Sequence, residues 1–207
     1  MRSSRAWFAA ATLCGVATLG CSSAPKEDLL KRADELTRDT RYSEAIPVVK
    51  RHLLEFPADP GGHFLLGLCY LHGYHPVTKR PEPWIMIAKG EFETALDCFR
   101  ANGKRSTIER FNDQYFELRC YLEISKIGIK QIDYLLKNPG AMAPDELHGI
   151  LRPIVRSCRK ACAEAKRVAP DSPDVKWIDE NIIPSLDALE AQIRQEPVRQ
   201  EATTPVA

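Results

Sequence analysis

Glycine is scarce beside proline in this 207-residue chain, eleven against fifteen, and alternating β-branched runs are few. Both shortages point away from strands and toward helices punctuated by prolines. Net charge is nearly missing too, with 29 Lys and Arg facing 28 Asp and Glu. Such a balance supplies no global field to draw in nucleic acid. No Gly-rich phosphate loop and no nucleophile elbow occur. His72 and His75 stand three apart with His63 nearby, but no Glu follows in the metalloprotease arrangement. Paired acids such as Asp179 and Glu180 lie among charged helix faces. The chain is therefore expected to be no enzyme and to carry no cofactor or metal. The competing class is an envelope enzyme or metal-binding protein using His63, His72, His75 and the thiols.

What is present bounds the rest. Hydrophobic residues make up 44% of the chain, enough for a single core at this length. Arg2 and Arg5 form a short basic start, and Ala6–Gly20 is an apolar or small run. Fifteen residues suit a signal-peptide core better than a bilayer span. The run ends in Thr18-Leu19-Gly20-Cys21, followed by Ser22, Ser23, Ala24 and Pro25. This resembles the lipobox of bacterial lipoproteins. The resemblance implies cleavage after residue 20, acylation of Cys21 and a flexible tether over 21–26. Ser22, rather than Asp, next to the Cys is similar to the pattern that sorts lipoproteins to the outer membrane. Each acyl chain contributes about 0.8 kcal/mol per buried methylene, and two chains hold a protein stably.

Beyond the tether, residues 27–196 read as helical and 197–207 as a disordered tail. Leu29, Ala33 and Leu36 recur at helical spacing. Ser43 is a natural N-cap for a second helix, whose stripe is Ala45, Ile46, Val49, Leu53 and Phe56. Pro57, Asp59, Pro60 and Gly61-Gly62 end it, and Phe64 to Tyr70 begin a third. Ser106 and Glu109 have capping-box spacing. Gly128 reads as a break, Asn138-Pro139-Gly140 as a loop, and Pro144 with Asp145 and Glu146 as a helix start. Ser172-Pro173 opens a final helix, bent near Pro184.

Leu29, Ala33, Leu36, Tyr42, Ala45 and Pro57 occupy the large, small and closing positions of a 34-residue helix-turn-helix unit. Leu66, Gly67 and Tyr70, then Gly90, Phe92, Ala95 and Phe99, supply the next. This resembles the tetratricopeptide repeat. It implies an all-α, TPR-like antiparallel helix-turn-helix array with a C-terminal capping helix. Residues 74–89 are an insert between the two halves of the second unit. Its Trp84, Ile85 and Met86 either contact a partner or pack back as an added helical turn.

The family's groove positions fall on Leu30, Asp34, Thr37, Phe64, Leu68 and Leu71. A carboxylate clamp would need Lys and Asn there. The resemblance therefore implies an apolar groove for an amphipathic helix or extended peptide, unless a later helix folds in and fills it. Residues 147–169 carry a net +5 and 170–196 a net −5, a pattern that fits two complementary helices. Five cysteines follow the anchor. Cys158 and Cys162, four apart on one face, read as small core residues, and Cys69 and Cys98 could meet. Together these expectations describe a protein-binding adaptor or assembly factor for envelope proteins or peptides. It would be membrane-bound through Cys21 and face the periplasm, without nucleic acid. A structural lipoprotein with no discrete partner is the third possibility.

Overall fold

The computed structural model describes residues 28–73 and 82–195. Residues 1–27, 74–81 and 196–207 lie outside it, and with them the signal sequence, Cys21, the tether, His75 and the tail. The described residues are all-helical, with no strands among them.

Helix α1, Leu29–Arg38, starts at Asp28, whose carboxylate accepts from the Lys31 N–H. A three-residue link with Thr40 at φ 59° turns the chain into α2, Tyr42–Glu55. This helix begins at Tyr42 with no side-chain cap, so Ser43 lies inside it. Pro60 opens α3, Pro60–His72, and Asp59 caps it by accepting from the Gly62 N–H at 2.7 Å. The same carboxylate meets His52 Nε2 at 3.0 Å. That bond gives the nearly buried histidine ring a polar partner.

Helix α4 spans Glu82–Ala101. Residues 82–89 of the expected insert form the first turns of α4, and 74–81 lie outside the described residues. Gly67 lets α3 and α4 close: a Cβ there would stand 2.9 Å from the Phe92 ring. Helix α5, Asp113–Lys137, is capped by Asn112, which accepts from the Tyr115 N–H at 2.7 Å. Ser106 caps no helix, and its hydroxyl instead closes a local turn with Ile108. Nor does Gly128 break α5. A Cβ at Gly128 would lie 3.0 Å from that of Cys158, so the residue sets how closely α5 meets α6, Pro144–Val168. Helix α6 runs through Pro153 without interruption.

The last helix has three parts: α7, Pro173–Trp177, a π-turn, Ile178–Ile182, and α8, Ile183–Gln195. Its cap is Ser172, as the sequence suggests. The Ile183 N–H reaches back five residues to the Ile178 carbonyl. A proline ring crowds the carbonyl four residues before it, and widening to a π-turn just ahead of Pro184 relieves that crowding.

Each helix packs on the next, and α1 also reaches α3. One core joins them, centred on Phe64, which meets Phe92, Phe111 and Phe116 at ring separations of 5.4 to 5.5 Å. Helix α5 is the most enclosed, buried on nearly every side between Phe116 and Gly128. Even Glu123 is 2% exposed, held by Arg119 at 2.8 Å and Lys126 at 3.2 Å. The oppositely charged C-terminal helices do pair. Arg159 reaches Asp187 and Glu190, at 2.8 Å for the latter, and Lys166 contacts Asp179. The thiols of Cys69, Cys98, Cys120, Cys158 and Cys162 are free, with Cys158 and Cys162 in the core. Cys69 contacts Thr37 rather than Cys98.

Candidate functional site

The groove expected on α1 and α3 is not open. Phe64 is fully buried at the aromatic centre, so it cannot line a free surface. The connection between α4 and α5 lies across the rest. Thr107 accepts from the Gly61 N–H at 2.9 Å, Ile108 is buried, and Arg110 forks onto Asp34. Between Leu30, Asp34 and this connection only a cavity of about 70 Å³ remains. A loop rather than a later helix fills the space, which sequence spacing alone did not separate. Leu30 and Leu68 are half-buried against the core. Leu71 faces elsewhere: with Tyr70, Trp84 and Ile85 it lines a cavity of about 370 Å³ bounded by Lys130 and Tyr134. Groove and insert residues that the sequence treats separately thus meet, with Trp84 stacked on Tyr70 at 5.5 Å.

The larger opening runs along α4, α5 and α6. Its floor is one stripe of α5, Glu117, Tyr121, Ile124, Gly128, Gln131 and Leu135, at steps of three and four. Residues at such steps share a helix face. Nineteen residues from Glu117 to Leu135 give the floor a length of about 27 Å at 1.5 Å per residue. Two compartments share Ile124 and Ser157.

One compartment is apolar, a cavity of about 420 Å³ walled by Ile85 and Met86 of α4 and by Ile150, Pro153 and Ile154 of α6. Met86 and Ile150 remain 53% and 39% exposed. Gln131 sets an amide against the Met86 sulfur. The other compartment is polar, about 830 Å³. There Arg100 donates to Tyr121 Oη at 2.7 Å and to Asp97 at 2.9 Å. Arg167 lies 2.8 Å from Glu164 and 3.5 Å from Glu117. Burial pushes the Tyr121 hydroxyl above its ordinary pKa, against the pull of Arg100. Apolar surface with a few converging polar groups, at 300–1,000 Å³, is the usual character of a ligand site.

The insert residues Ile85 and Met86 therefore do line an open cavity, on a face different from the expected groove. The sequence missed the face because the α5 stripe mixes Glu, Tyr, Gly and Gln. Spacing of four, three, four, three and four was the one signal available.

The histidines stand apart from this site. His63 Nδ1 meets Glu91 at 2.7 Å and Nε2 meets the Pro57 carbonyl at 2.9 Å, while His72 stacks on Tyr42. Among the described residues no three His, Cys, Asp or Glu side chains stand together as a metal site. No helix among them is long and apolar enough to cross a membrane. Comparison with models of known families, with curated proteins and with solved structures finds no match for this chain.

Proposed function

We propose that the protein is a lipid-anchored, TPR-like adaptor or assembly factor of the bacterial envelope that holds a partner in the α4–α5–α6 channel. The anchor is Cys21, behind a signal peptide, and places the domain on the outer membrane facing the periplasm. The succession of paired helices, with Gly67 set against the Phe92 ring, supports the repeat reading. One observation carries the binding role: an apolar cavity of about 420 Å³ opens to solvent between the half-exposed side chains of Met86 and Ile150. Apolar surface left open in this way marks a contact site. A membrane tether raises the effective concentration of any partner in the same membrane, so modest contacts suffice.

Photo-crosslinking in intact membranes tests this, with the reactive group placed at Met86 or Ile150 and at Leu54 as an exposed apolar control on α2. A distinct adduct from Met86 and Ile150, absent from Leu54, is the expected result. The same bands from all three positions overturn the channel reading. Separately, Cys21→Ser is expected to release the protein from the membrane fraction, and retention there overturns the anchor.

A further inference from the structure

The channel is chemically graded, and the gradient specifies its occupant. Its apolar compartment ends at Ile124 and Ser157, where the polar compartment begins. Every acid of the polar compartment is already held: Glu93 by Lys89, Asp97 by Arg100, and both Glu117 and Glu164 by Arg167. Lys104 and Lys160 line the same compartment, are exposed, and have no counter-ion among the described residues. Arg167 is shared by two acids, so with Lys89 counted five cations face four acids along the channel, and the two cations without an ion-pair partner among the described residues, Lys104 and Lys160, are both exposed.

We infer that the occupant is a helix of the partner protein, apolar over about two turns and acidic over the next two. This deepens the adaptor reading and rests on it. An acyl chain would fill the apolar cavity but leave Met86 and Ile150 wet on the two walls. A helix about 10–12 Å across covers both. Its acidic half then lies along Lys160 and Lys104, where opposite charge fixes direction as well as affinity. The reversed orientation would set carboxylates over Ile154 and Ile85, where nothing compensates their desolvation.

The test uses the full chain and three labelled 18-residue helical peptides read by fluorescence anisotropy. One is apolar then acidic, one is apolar then basic, and one has the acidic residues spread evenly. The apolar-then-acidic peptide is expected to bind about tenfold more tightly than either other, a preference that fades with salt. Lys160→Glu, alone or with Lys104→Asn, is expected to reverse the preference for acid over base. Asn is chosen for Lys104 because that residue has φ 59°, which Asn tolerates. Circular dichroism checks that the variants stay folded. Equal binding of all three peptides, or a preference unmoved by Lys160→Glu, overturns the inference and leaves the adaptor reading standing. Uptake of laurate in place of every peptide overturns it in favour of a lipid. Failure of every peptide, with no adduct from Met86 or Ile150, removes both.

Discussion

Arg110 forks onto Asp34 across 76 positions of sequence, its Nε and Nη2 donating to both carboxylate oxygens at 2.7 to 2.9 Å. The guanidinium also lies over the Phe111 ring at 4.2 Å. The bond ties the α4–α5 connection to the first helix, over the face where a ligand groove was expected.

Loss of this clasp is expected to loosen the connection more than the fold. Asp34 keeps a second cation, Arg38 at 3.7 Å, and Arg110 is partly exposed. Arg110→Ala should therefore destabilise by only about 1 kcal/mol. A double-mutant cycle with Asp34→Ala in urea measures the coupling. Hydrogen exchange of residues 104–112 should rise in either single variant, and an unchanged pattern would show that Thr107 and Ile108 hold the connection without the ion pair.

Gly128 and Cys158 set the spacing of α5 and α6, and enlarging the glycine tests that spacing. Alanine would gain about 1 kcal/mol of helix propensity, which the 3.0 Å approach to Cys158 offsets. Valine adds bulk with no such compensation and is expected to lose about 3 kcal/mol. Adding Cys158→Ala should recover only the part due to the sulfur, because the Cβ contact persists. Thermal melts of the single and double variants give the comparison.

His63 should make stability fall on the alkaline side of neutrality. Both ring nitrogens face acceptors, so only the imidazolium satisfies both, and its hydrogen bond to Glu91 raises the folded-state pKa. A raised folded pKa means that the stabilisation is fully present below the unfolded value of about 6.5. It is lost as pH climbs from there through the raised value. Urea midpoints of the native chain and Glu91→Gln should converge across that window. Parallel profiles would place the proton elsewhere.

Among the five thiols of the described residues, Cys98 should be alkylated first. It is half-buried beside an open cavity of about 550 Å³, whereas Cys69, Cys120, Cys158 and Cys162 are buried. Burial pushes Cys69 up to about 11 and raises Cys120 as well. Native-state labelling followed by peptide mass spectrometry should find Cys98 modified at least about tenfold faster than Cys69 or Cys120. Comparable rates would mean that the core opens before the reagent does its work.

Helix spacing in the sequence was legible because apolar periodicity and caps are local. Pro144 and Ser172 act through their immediate neighbours, and their helices begin where those residues stand, whereas Asp59 to Gly62, read as the end of α2, cap and open α3 instead. Charge pairing of α6 with the last helix was legible for a related reason: two adjacent blocks of opposite sign joined by a short turn have few other ways to lie. Ser106 misled because its hydroxyl satisfies a turn as readily as a helix start. Gly128 misled because a glycine that ends a helix and one that admits a neighbour look identical in sequence.

The sequence by itself determined the helical class, the chain order of the helices and the charge complementarity, all set by contacts within a few residues or between neighbouring blocks. Only the tertiary structure decided which face stays open. Phe64 could have lined a groove or anchored a core, and three aromatic rings arriving from α4, the connection and α5 made it core. Arg110 then closed the first groove onto Asp34. The α4–α5–α6 channel exists because residues far apart, Met86 and Ile150 among them, stand on facing walls over an α5 stripe with no apolar periodicity. Such a surface is a property of packing, and the four-three spacing of the α5 stripe alone does not encode it.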